Sequence, residues 1–224
     1  MQDDFFRLVG GEMMRFYNPN NRNNRKGKDK SINKWDQLMA HTGRRKQYPS
    51  TNQDEANSSN IAVVAGNWIE AVGSVVTAIG STPSQIFTEQ TLTDFNVIGN
   101  ILEAGGTAIA AEGEDGLLNI VGEQLQAIGN IAVVAGILSN NEQSGELLQQ
   151  QGDLLQVVGM GMTIQTSGNL TLLETIANTG NIIQLIGSVI QIFANTDTEE
   201  GTVMNAIGAW IEAIGAIITA LASE

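Results

Sequence analysis

Glycine returns every seven residues within six successive runs between Gly66 and Gly215, and no other feature of the chain limits its fold so strongly. The series runs Gly66, Gly73, Gly80; Gly99, Gly106, Gly113; Gly122, Gly129, Gly136; Gly145, Gly152, Gly159; Gly180, Gly187; Gly201, Gly208, Gly215. A glycine inside a helix costs about 1 kcal/mol relative to alanine. Repeated at a fixed step, that cost calls for a compensating contact, most simply two backbones meeting where no side chain fits. A strand would reverse its facing at each seven-residue step, so the period argues against sheet. Gly66, Gly73, Gly80, Gly122, Gly129, Gly136, Gly208 and Gly215 are therefore the candidate backbone-packing positions.

With glycine at heptad position a, position e holds Glu70, Thr77, Glu103, Gln126, Gln149, Gln156, Thr163, Gln184, Gln191, Glu212 and Thr219. Position b holds Asn67, Ser74, Asn100, Asn130, Asp153, Asn181 and Ser188. Positions c, d and g are mostly Ile, Val, Leu, Met or Trp, and f is often Ala. At about 100° per residue, a, e and b fall close together on a helix. Each helix thus carries a wide apolar face and a narrow polar strip, with glycine at one border.

Six apolar segments of helical length follow, near residues 58–81, 93–112, 115–139, 142–164, 168–195 and 199–223. The breaks between them carry loop chemistry, such as Ser81-Thr-Pro-Ser and Ser139-Asn-Asn. Acids open several segments, where they meet the positive end of a helix dipole. The expected architecture is all-α: about six antiparallel amphipathic helices in a bundle or repeat, residues 58–224, preceded by a basic arm, residues 1–57.

Charge separates these two parts. All 11 Lys and Arg lie between Arg7 and Lys46, alongside five acids, which makes residues 1–46 +6. The remaining 19 acids meet no base, so the rest of the chain is −19. The arm has an apolar cluster (Phe5, Phe6, Phe16, Tyr17) whose spacing allows a short helix, and Trp35 sits in a second short helical pattern. Between them lies a polar, basic, low-complexity run with Arg22, Arg25, Lys26 and Lys28; Arg44 and Arg45 follow. Such asymmetry suggests an interaction arm joined to a separate body.

The body repeats itself beyond the heptad. Asn60-Ile-Ala-Val-Val-Ala-Gly66 recurs identically at Asn130–Gly136. GNWIEAVGSVVTAIGS at 66–81 matches GAWIEAIGAIITALAS at 208–223 in nine of 16 positions, so Trp68 and Glu70 correspond to Trp210 and Glu212. These segments, with GNILEAGGTAIA and VGEQLQAIGNIAVVAGI, resemble an uncharacterised repetitive protein family of Bacillus and related spore-formers, built from GxWIQAIG-type helices. The resemblance covers about residues 60–224. It implies a Gram-positive host and a spore-associated setting, and brings no activity, cofactor or catalytic residue; the absence of cysteine fits a cytoplasmic location.

Nothing in the chain supports catalysis. There is no cysteine, His41 is the sole histidine, and no nucleophile–base pair stands out. No cofactor or metal is expected, since the acidic loops 112–116 and 197–201 lack full EF-hand spacing. The expected role is a non-enzymatic structural protein that self-associates into an ordered oligomer, filament or layer. The basic arm would dock on neighbouring copies, and Trp68 and Trp210 would serve at an interface. Two alternatives remain: a membrane-active glycine-zipper protein, and nucleic-acid binding through the arm. Residues 61–80 and 202–222 are long and apolar enough to span. Mid-helix Glu70 and Glu212, with no flanking Lys or Arg in the body, set the membrane behind self-association.

Overall fold

The computed structural model describes residues 52–166, 168–194 and 196–223. The chain divides into two units, Met1–Ser50 and Thr51–Glu224, and the description concerns the second. Every expectation placed on the arm, including Phe5, Phe6, Phe16, Tyr17, Arg22, Arg25, Lys26, Lys28, Trp35, Arg44 and Arg45, lies outside the described residues.

The described residues form six helices and no strand: α1 Asn52–Gly80, α2 Glu89–Gly113, α3 Leu117–Ile137, α4 Glu142–Thr163, α5 Leu172–Ile192 and α6 Glu199–Ala222. The all-α expectation holds. Three boundaries move from those read in the sequence, each for a local reason. Helix α1 starts at Asn52 and absorbs the last residues assigned to the arm. No Gly or Pro lies between Pro49 and Gly66 to interrupt it. Helix α2 starts at Glu89 because Thr88 caps it, its side chain accepting from the Thr91 N–H. Helix α5 starts at Leu172 because Gly168, at φ 108°, takes the chain through the left-handed region and Thr171 caps the helix.

The α5 start is a complete capping box. The Glu174 N–H donates to Thr171 Oγ1 at 3.2 Å, and the Thr171 N–H donates to Glu174 Oε2 at 2.6 Å. The backbone donor, then the side chain, holds the Glu174 carboxyl below the usual carboxylate range. A group with a depressed folded-state pKa stabilises above its unfolded pKa, so this contribution is lost as acid protonates Glu174. Thr171→Ala is expected to lower Tm by about 2–4 °C at neutral pH. The deficit should narrow in acid, as melting curves across pH will show.

Each helix packs on the next in sequence, and α6 packs back on α1, which closes a ring. Two kinds of seam build it. Within the hairpins α1/α2, α3/α4 and α5/α6, glycines meet in antiparallel pairs: Gly66 with Gly106, Gly73 with Gly99, Gly122 with Gly159, Gly129 with Gly152, Gly136 with Gly145, Gly180 with Gly215 and Gly187 with Gly208. A Cβ added at Gly129 would stand 2.6 Å from the Gly152 carbonyl oxygen, and one at Gly152 equally close to that of Gly129. Backbones this close leave room only for hydrogen and allow Cα–H···O contacts to recur along the seam. The α6/α1 seam uses alanine instead: Ala71 clusters with Ala216 and Ala220, and Ala78 with Ala209 and Ala213.

Candidate functional site: a polar axis inside an apolar shell

Glycine at the border of the polar strip decides which way each helix faces. When two helices touch at position a, the neighbouring e and b positions are carried into the bundle. Asn67, Glu70, Ser74, Asn100, Glu103, Thr107, Gln126, Asn130, Gln156, Thr163, Gln184, Ser188, Glu212 and Thr219 are all buried. The buried apolar residues are mostly alanines, joined by Val133 and Met160. The large apolar side chains point outward: Val72 on α1, Ile98 on α2, Ile128 on α3, Leu154 on α4, Ile186 on α5 and Ile214 on α6 are all exposed. The interior is polar and the exterior apolar, the reverse of a water-soluble bundle.

Charge follows the same division. Five acids lie in the middle turns of the helices: Glu70, Glu103, Glu123, Asp153 and Glu212, on five different helices, all at e or b positions. Glu70, Glu103 and Glu212 retain only 5–7% exposure. Most other described acids, such as Glu89, Glu114, Asp115, Glu142, Glu174 and Glu199, sit in loops or the terminal turns of helices, and exposed Asp94 and Glu146 lie just inside the starts of α2 and α4. No described residue is Lys, Arg or His. The middle of the outer surface therefore carries no formal charge.

Hydrogen bonds knit part of the interior. Thr77 Oγ1 donates to Glu103 Oε1 at 2.6 Å, across α1 and α2. Gln191 donates to Glu212 Oε2, across α5 and α6. On the other side Gln184 Nε2 donates to Thr219 Oγ1 at 3.3 Å, Thr219 Oγ1 to Asn181 Oδ1 at 2.9 Å, and Asn181 Nδ2 to Thr163 Oγ1 at 3.4 Å. That chain links α6, α5 and α4. Beside it lies a cavity of about 40 Å³, lined by residues of α1, α3, α4, α5 and α6. A wider recess of about 380 Å³ is lined by Thr77, Ser81, Thr93, Asn96, Asn100, Gln149 and Asn205, all uncharged and polar, with Val133 and Ile137.

The eight packing glycines named from the sequence are all buried and meet a neighbouring helix. Trp68 is half-buried against the Ala71 cluster. Trp210 is 41% exposed on α6, and its Nε1–H donates to Thr82 Oγ1 at 3.0 Å. The two tryptophans, equivalent in sequence, thus sit in different surroundings. The interior polar set was not singled out as a site in the sequence, although its signal was there: every mid-helix acid stands one or four residues after a heptad glycine. Among the described residues no three His, Cys, Asp or Glu side chains gather as a metal site.

Three segments, Asn60–Gly80 within α1, Leu117–Ile137 and Glu199–Ala222, are long and apolar enough to cross a membrane. No curated protein and no solved structure matches the chain. A family model described as a family of unknown function, DUF6944, matches residues 61–220, which spans all but the start of α1 and the end of α6. The chain belongs to this family, and its glycine-paired hairpins lie within the shared region.

Proposed function

We propose that the described unit is a membrane-embedded, non-enzymatic helical bundle whose outer face meets lipid and whose polar axis is shielded from it. The observation that carries this reading is the placement of charge. Acids of the middle turns face inward, the remaining acids collect in loops and toward the helix ends, and exposed Ile, Leu and Val cover the middle. Ionisable residues within membrane segments characteristically face the bundle interior. In lipid, small residues at helix contacts replace the hydrophobic drive available in water, which suits the glycine seams. Closed helical hydrogen bonding also meets the demand that no backbone polar group face hydrocarbon. Glu70 and Glu212, which weighed against a membrane in the linear sequence, are among these inward-facing residues. The arm bears every Lys and Arg, so the positive-inside rule would set it on the cytoplasmic side.

Self-association remains the second reading, favoured by the same exposed apolar face and by the near-identical first and last helices. Copies packing outer face to outer face would bury it without lipid. On that reading the arm's positive charge docks on the acidic helix ends of a neighbour; nucleic acid is the other polyanion its bases fit. One fractionation separates the readings. Full-length protein expressed in bacteria is expected in the membrane pellet, resistant to carbonate, with Trp210 fluorescence quenched by brominated lipid. A lipid-free, water-soluble oligomer would overturn the membrane reading and favour assembly; deletion of residues 1–50 would then test the arm as a cross-link.

A further inference from the structure

One wall of the small cavity is made of oxygen-bearing side chains that lack protein partners. Asn67 and Glu70 of α1 and Glu123 and Gln126 of α3 line it, facing the hydrogen-bonded Gln184 and Thr219. Glu123 Oε2 is inaccessible to solvent and accepts no hydrogen bond. Among the described residues the side chains of Asn67, Glu70 and Gln126, each buried, likewise make none. A buried carboxylate without a hydrogen bond or a counter-charge is costly, and no described residue is a base. The compensation comes either from a proton on the carboxyl or from a cation held in the cavity, and the polar lining suits the second.

We propose that this cavity binds one small monovalent cation, Na⁺ or K⁺, with Glu123 as its charged ligand and Glu70, Asn67 and Gln126 supplying further oxygens. Size, donor type and charge each narrow the choice. A volume of about 40 Å³ admits a water-sized guest, and a bare Na⁺ or K⁺ is of that size. The donors are carboxylate, amide and hydroxyl oxygens, which suit hard cations and can replace a hydration shell. Mg²⁺ keeps several of its waters and would not fit with them, and Ca²⁺ wants a denser set of carboxylates than the described residues gather. Two carboxyls facing one monovalent cation leave one charge over, so the pair holds one cation and one proton. The site concerns only the interior, and it stands whether the outer face meets lipid or another copy of the chain.

Thermal unfolding of the full-length protein, dispersed in mild detergent at neutral pH, tests this. Melts are compared in NaCl, KCl and N-methyl-D-glucamine chloride at equal ionic strength. Na⁺ or K⁺ should raise Tm by about 5 °C or more in a saturable way, and the organic cation should not. Glu123→Gln should abolish that increment, while Asp153→Asn, outside the cavity, should keep it. If Glu123→Gln fails to fold, Glu70→Gln takes its place, and equilibrium binding of radioactive Na⁺, with K⁺ as competitor, should give one ion per wild-type chain. Equal melts in the three chlorides, an increment that survives Glu123→Gln, or no bound ion would each overturn the proposal.

Discussion

Gly106→Ala is expected to destabilise the bundle by about 1–3 kcal/mol, while Gly105→Ala, one residue earlier, stabilises it by about 0.4–1 kcal/mol. Both substitutions raise helix propensity by a similar amount. Only their surroundings differ. A Cβ at Gly105 has nothing within 4 Å, whereas one at Gly106 stands 2.5 Å from the Glu70 nitrogen and 2.6 Å from the Gly66 carbonyl oxygen. Those neighbours are backbone and cannot rotate aside, so α1 and α2 must separate along the seam. The same contrast should appear between Gly187 and Gly161 in the other hairpins, since Gly187 meets Glu212 and Gly208 backbone atoms and Gly161 meets nothing. Denaturant midpoints of the four alanine variants check it. If all four shift in the same direction, the glycines are tolerated relics of repeat expansion and not a seam.

Ile128→Arg should have the second large effect, and its sign separates lipid from water. Ile128 sits near the middle of α3 and is 57% exposed. At the surface of a soluble protein such a change stays within about ±0.5 kcal/mol. At the centre of a membrane helix an arginine costs about 2.5–3.5 kcal/mol on insertion scales. The expected result is a marked loss of membrane-integrated protein, with Leu118→Arg, near the helix start, much milder. Undiminished integration of Ile128→Arg would show that α3 does not face hydrocarbon at that point.

The helices were legible because their signal is periodic and local. Gly-spaced heptads, loop dipeptides and the polar strip at e and b follow from positions along one helix, and they located all six segments. Caps moved the ends, since Thr88 and Thr171 act through single hydrogen bonds that composition does not reveal. What the strip faces was harder to read. Glu70 and Glu212 looked like evidence against a membrane, because a lone carboxylate on an apolar helix is ambiguous until its neighbours are known. The deciding fact is relational: Gly66 and Gly73 meet Gly106 and Gly99, and Gly187 meets Gly208, which turns the flanking acids inward. The cavity is less legible still, because Asn67 and Glu70 of α1 meet Glu123 and Gln126 of α3 only across the interior of the closed ring.

The alanine closure between α6 and α1 has a consequence for how copies could meet. The two helices are near repeats, offset by 142 residues and packed antiparallel, so Ala71 beside Ala220 is the counterpart of Ala213 beside Ala78. The joint is therefore self-complementary about a local two-fold axis, as an isologous interface is. An opened ring could make the same joint with a second opened ring, α1 on α1 and α6 on α6, each contact replaced by its near copy. The intramolecular and intermolecular joints would then differ mainly in effective concentration, so dilution favours the closed ring and crowding on a surface favours paired open rings.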